Sequence, residues 1–192
     1  GSFVIPKFNK LVKEQVPYAD PKFFIDKPAG LEEKILRGEL DFGLEEGVIN
    51  HELIKTVHIG DDELIAICGI DFDAPESLKL TDLVNYDLLL REKGNPARRI
   101  LDYQLGIKGV KLGEPRVESI CNNVIVAMAI ENQGIGILPA ATARRWLQEG
   151  KIRQIALDVP LKRKLFLVSH KNKTFNATAK KLYKIASTIL QK

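Results

Sequence analysis

Val4, Ile5, Phe8, Leu11 and Val12 recur at intervals of three and four, the spacing of one helical face. Pro6 is tolerated in a first turn, where no intrahelical N–H bond is lost, and Pro17 ends the helix. Lys22–Asp26 reads as a short strand. Leu31, Ile35 and Leu36 mark a second helix that stops near Gly38. Leu40–Leu44 then reads as a strand, with Gly43 permitting close backbone approach. Leu53–Ile59 and Glu63–Cys68 read as two further strands, parted by a Gly60-Asp61-Asp62 turn. The polar, proline-containing stretch Asp71–Ser77 suits a crossing point between lobes.

Thr81 or Asp82 can start a short helix reaching Val84, and Asp87–Arg91 is a buried strand centred on Leu88, Leu89 and Leu90. Asn95 is a good N-cap, because its side-chain oxygen can take an orphan N–H of the first turn, and Pro96 suits the first helical position. That helix runs through Ile100, Leu101 and Leu105 to Gly106. Val110–Val117 is extended and leads into Glu118–Pro139, E-S-I-C-N-N-V-I-V-A-M-A-I-E-N-Q-G-I-G-I-L-P. Ser119, Asn122 and Asn123 begin a helix there. It is apolar nearly all round from Val124 to Ile130 and should pack against a sheet. Asn132 and Gly134 end it, Ile135–Leu138 is a buried strand, and Pro139 stops that strand. Ala140–Gln148 is helical with Trp146 and Leu147 inward. Ile152–Leu157 and Lys164–Ser169 are strands, and Phe175–Leu190 closes the chain as an amphipathic helix. Strands alternating with helices in this way predict an α/β fold with parallel sheets covered on both faces.

Composition narrows the picture further. A chain of 192 residues holds one large α/β domain or two small lobes. Its 45% hydrophobic and 28% charged content is that of an ordinary soluble globular protein. No apolar run approaches the roughly 20 residues that span a bilayer. Nothing at the start reads as a secretion signal, and the abrupt opening at Gly1-Ser2 leaves room for an upstream segment. Cys68 and Cys121 sit in apolar contexts without metal-type spacing, as reduced, buried thiols of a cytoplasmic protein do. Net charge is +4, yet Arg144–Lys192 carries about thirteen Lys or Arg against two acids. A nucleic-acid platform would interleave aromatics with those cations. This segment does not, and it reads as a solvated face.

Candidate chemistry is sparse. No dinucleotide, Walker, zinc-protease, nucleophile-elbow or paired Cys-x-x-Cys motif is present. His51, His58 and His170 are scattered and read as structural or surface residues. Glu45-Glu46 and Asp61-Asp62 read as solvated turns. No nucleophile is set beside a base, so no catalytic residue, metal site or cofactor is predicted. What remains is a set of polar helix starts that follow strands, where open α/β sheets bind ligands. They are Gly1–Phe3, Gly94–Pro96 and Glu118–Ile120. Convergent helix N-termini favour a small anion such as a carboxylate, and Arg91 at a strand end could add a charge-assisted fork. Plain helix capping is the competing explanation for each, and Gly1-Ser2 also matches a common tag remnant.

The order of short motifs adds a family. Leu31-x-x-x-Ile35-x-x-Gly38-Glu39-Leu40-Asp41-Phe42-Gly43-Leu44 is followed by Asp62-Glu63-Leu64-Ile65-Ala66-Ile67 and by Leu80-Thr81-Asp82-Leu83. Gly94-Asn95-x-x-Arg98, Glu118-Ser119 and Gly134-Ile135-Gly136-Ile137-Leu138-Pro139 complete the series. Over nearly the whole chain this resembles the effector-binding domain of LysR-type transcriptional regulators. The resemblance implies a periplasmic-binding-protein type II fold, with two Rossmann-like lobes joined by crossing strands. These would be residues 1–70 with 164–192, and residues 71–163. It implies a small-molecule effector in the cleft between lobes, contacted by Ser2, by Gly94 and Asn95, and by Glu118, Ser119 and Ile120. Arg91 and Pro139 complete the expected set. It also implies a cytoplasmic homodimer, for which the Val4–Val12 helix is a candidate surface. DNA would be reached only through a winged helix-turn-helix that this chain lacks. The family's first strand would lie before Gly1, and Lys27-Pro28 stands where a Gly-Thr type pair is common. Two other functions share the fold: a transporter's solute-binding protein, and a dehydratase-like enzyme, which needs a polar catalytic cluster not found here.

Overall fold

A computed structural model describes residues 4–46 and 50–190. The chain divides into two compact units, Gly1–Asp61 with Lys164–Lys192, and Asp62–Arg163. The family resemblance implies lobes at 1–70 with 164–192 and at 71–163.

The first unit contains α1 (Val4–Gln15), α2 (Pro28–Leu36), β1 (Gly43–Glu46) and α6 (Ala177–Thr188). It also takes the first half of β2 (Ile54–Gly69) and most of β8 (Leu161–His170). The helical spacing of α1 puts Val4, Phe8 and Val12 on one face, where they pack with Ile59, Leu165, Leu167, Ile185 and Ile189. That apolar stripe is buried inside this unit, and Lys7, Lys10 and Lys13 lie on the exposed face of the helix. Lys7 Nζ donates to Ile189 O over 2.8 Å, satisfying a carbonyl just past the end of α6.

β1 runs antiparallel to β8, with Gly43 opposite Val168. It begins three residues later than Leu40, because the turn after α2 extends through Leu40, whose N–H bonds Lys34 O. A Cβ at Gly43 would meet Leu31 Cδ1 at 2.6 Å, so the side chain is missing where helix and strand touch. Lys22–Asp26 forms no ladder; Phe23, Phe24 and Ile25 are exposed instead, Ile25 by 83%. Asp26 accepts from Lys27 N–H and from Lys34 Nζ, which ties the segment to α2 rather than to a strand.

The expected turn at Gly60-Asp61-Asp62 is absent, and β2 continues through it for 16 residues. Asp62 is bound by Arg163 of β8, with Nε donating to Oδ2 over 3.0 Å, so pairing overrides turn-forming composition. Glu45 is likewise buried on β1 rather than solvated in a turn.

The second unit contains β3 (Ser77–Leu78), β4 (Leu88–Arg91), β5 (Val117–Ser119), β6 (Ile135–Pro139) and β7 (Ile152–Leu157). Its helices are α3 (Pro96–Ile107), α4 (Asn122–Ile130) and α5 (Ala140–Gln148), with a short 3-10 helix at Leu80–Asn85. β4 pairs in parallel with β5 and with β6, and β6 pairs antiparallel with β2. The extended stretch expected over Val110–Val117 is strand only from Val117 onward. Alternate residues of the strands sort onto two faces. Leu64, Ala66, Leu88, Leu90, Ile135 and Ile137 pack with Leu101 and Leu105 of α3. Ile65, Ile67, Leu89 and Leu138 pack with Ile125, Val126 and Ala129 of α4 and with Ala143 of α5. Both faces are covered, which is why these strands are apolar without alternation.

Candidate functional site

Parallel pairing sends the carboxyl ends of β4, β5 and β6 to one edge of the second unit, and α3, α4 and α5 begin directly beyond them. Arg91 and Ser119 are opposite each other in the last register of β4 and β5. Gly94 lies in the turn that follows β4, with φ +87, a conformation that disfavours any side chain. Asn95 caps α3 as its sequence predicts, its Oδ1 accepting from Ala97 N–H over 3.0 Å.

The start of α4 differs from expectation. Its N-cap is Cys121, without a side-chain capping bond. Ser119 instead closes the strand-to-helix turn: its Oγ accepts from Cys121 N–H over 3.0 Å and donates to Cys121 O over 3.2 Å. The expectation of two buried thiols fails here, since Cys121 is exposed. Cys68 is buried, and that burial raises its thiol pKa despite the opposing charge of Arg153.

Arg91 draws the edge together. Its Nε donates to Ser119 O over 3.1 Å, and its Nη1 donates to Asn122 Oδ1 over 3.0 Å. Nε and Nη2 also reach Glu92 Oε2 and Oε1 at 2.9 and 3.2 Å. Asn95 Nδ2 approaches the same Oε1 at 3.4 Å. Burial pushes the Glu92 carboxyl upward, but the bonds from Arg91 and Asn95 outweigh it and hold the pKa below the usual glutamate value.

Beneath this edge lies Arg98, 5% exposed. Its Nε donates to Asp102 Oδ1 over 2.9 Å and its Nη1 to Arg91 O over 3.3 Å, and the same Nη1 is 3.6 Å from Glu118 Oε2. It ties the first turns of α3 to the ends of β4 and β5. Glu92, Arg98 and Asn122 were not among the expected contacts. Arg98 had a signal, since it shares the i, i+3, i+7 stripe of α3 with Leu101 and Leu105, where an apolar residue is expected. Asn122 was visible only as a helix start, and Glu92 gave no signal.

The other expected residues separate. Glu118 reaches the Arg98 guanidinium, while Ile120 is 76% exposed beside it. Pro139 is buried at the end of β6, opposite Leu64, and immediately precedes α5. Ser2 lies outside the described residues. His51 and His170 accept neighbouring backbone N–H groups, and His58 pairs with Asp61 over 2.8 Å. Among the described residues no group of His, Cys, Asp and Glu could hold a metal ion, and no helix is long and apolar enough to cross a membrane.

Comparison with known proteins places this geometry in context. Residues 2–188 match the family described as "LysR substrate binding domain". The chain is 21% identical over 188 residues to a "Probable RuBisCO transcriptional regulator" of Cyanophora paradoxa, covering 94% of this chain and 58% of that protein. It spans only 56 to 59% of the length of the curated relatives it matches. In fold it is similar to the regulatory domain of CcmR from Synechocystis PCC6803, solved in complex with 2-PG. The TM-score is 0.85 at 16% identity, over 97% of this chain and 90% of that one. It is also similar to the effector-binding domain of QuiR in complex with shikimate, with TM-score 0.79 at 16% identity over the same shares. The fold class is therefore α/β of the type II periplasmic-binding kind, as the motif order implied.

Proposed function

The chain belongs to the LysR substrate binding domain family, and from that premise we propose that it is the ligand-sensing domain of a bacterial transcriptional regulator. It is not an enzyme, and it acts in the cytoplasm. Its ligand is a small molecule bearing an anionic group, bound at the carboxyl edge of β4, β5 and β6. One observation carries this assignment. Arg91, Asn95, Ser119 and Asn122 converge there, with helix N-termini whose partial positive charge favours an anion. Named relatives that regulate transcription, and solved neighbours described as complexes with 2-PG and with shikimate, favour sensing over transport or catalysis. The ligand shifts an equilibrium between two arrangements of a homodimer, and a DNA-binding domain joined upstream of this chain reads the change.

The test is thermal unfolding across a broad panel of small carboxylates, phosphate esters and amino acids, since a ligand of the folded state must raise the midpoint. At least one compound should stabilise the chain. Its affinity should fall by about 1–2 kcal/mol in Ser119→Ala and in Asn95→Ala, the usual cost of one polar contact. Stabilisation that neither substitution alters would move the site elsewhere.

A further inference from the structure

Arg91 already holds a carboxylate. Nε and Nη2 form one side of its guanidinium fork, and both donate to the two oxygens of Glu92, at 2.9 and 3.2 Å. This is the bidentate geometry in which arginine binds a free carboxylate. Asn95 Nδ2 completes the cradle at 3.4 Å. The donors that an anionic ligand would need are therefore engaged by the next residue in the chain.

We propose that Glu92 is an internal competitor, a carboxylate that an anionic effector displaces from Arg91 and that thereby sets the site's affinity for anions. This inference rests on the site assigned above. The Glu92 side chain is 29% exposed, so a modest rotation delivers it to water. Arg91 stays in place when Glu92 leaves, because Ser119 O and Asn122 Oδ1 hold its Nε and Nη1. The guanidinium is preorganised for a second carboxylate, which limits the ordering cost of binding. Because the Glu92 carboxyl is held below its usual pKa, it stays charged and competes throughout the neutral range. Its charge opposes an incoming anion, so the residue discriminates by repulsion as well as by occupancy.

Glu92→Gln keeps the shape and removes the charge. Titration calorimetry at fixed pH with acetate, succinate and inorganic phosphate compares it with the wild type, with Ser119→Ala and with the Arg91→Met/Glu92→Gln pair. Melting curves verify each fold, and the uncharged Arg91→Gln replaces Arg91→Met if the latter does not fold. Glu92→Gln should bind at least one probe about five- to tenfold more tightly than the wild type, the scale of a partly exposed ion pair plus relief of repulsion. The gain should vanish in the double variant. Equal or weaker binding in Glu92→Gln, a gain that survives loss of Arg91, or no probe bound by Glu92→Gln overturns the proposal. If Ser119→Ala weakens a probe that Glu92→Gln does not strengthen, the site stands and the role of Glu92 falls. If neither substitution alters affinity, the site falls as well.

Discussion

Arg91 and Glu92 are adjacent in the chain and form an ion pair 2.9 Å apart, while Arg98 is fixed below them between two carboxylates. A partly exposed pair like Arg91–Glu92 contributes about 0.2–1 kcal/mol, and its pH dependence has a definite sign. The folded pKa of Glu92 is depressed, so its contribution is complete above the ordinary glutamate value of about 4.3 and is lost as pH falls through the lower folded value. Urea unfolding of wild type and Glu92→Gln should show a wild-type advantage near pH 7 that shrinks toward pH 3. A difference that stays constant across that range would mean the pair adds nothing to the folded state. These partnerships were not legible in the sequence. Adjacent residues of opposite charge are common on surfaces, and only the turn after β4 brings both side chains to one side. Asn95 was legible, because a cap acts on backbone two residues away and needs no distant partner.

Local rules carried through at the element scale wherever one segment decides its own conformation. Asn95-Pro96 starts α3, and the run after Cys121 forms α4, as their patterns dictate. Partners decided the exceptions. β2 runs through a Gly-Asp-Asp sequence because Arg163 binds Asp62 and the flanking residues stay in the ladder. Lys22–Asp26 has a strand composition but joins no ladder among the described residues. The consequence is an exposed apolar run, Phe23, Phe24 and Ile25, on a unit whose α1 stripe is already packed. If the chain self-associates as proposed, this run is a second candidate surface beside the exposed face of α1. Ile25→Asp should then lower the dimer fraction in sedimentation by about tenfold in dissociation constant, the effect of one desolvated charge in an apolar contact. An unchanged distribution would move the contact elsewhere.

At the scale of the whole molecule, alternating strand and helix periods were enough for the α/β class, and motif order was enough for the family. The site was legible in part. Helix starts after parallel strands pick out one edge of the second unit, where topology sends the carboxyl ends of β4, β5 and β6. What it missed was how that edge is occupied: Glu92 on the Arg91 fork, Ser119 in a turn rather than a cap, and Arg98 buried underneath. Those facts depend on side chains meeting across a folded surface, which periodicity does not encode. The measurement that tests the sensing edge most directly is amide NMR, in which a compound that stabilises the chain is titrated into labelled protein. Binding at this edge should shift the amides from Arg91 through Ala97 and from Ser119 through Val124 first, in proportion to occupancy. A stabilising compound that leaves both segments unmoved, and shifts residues elsewhere, would contradict the account.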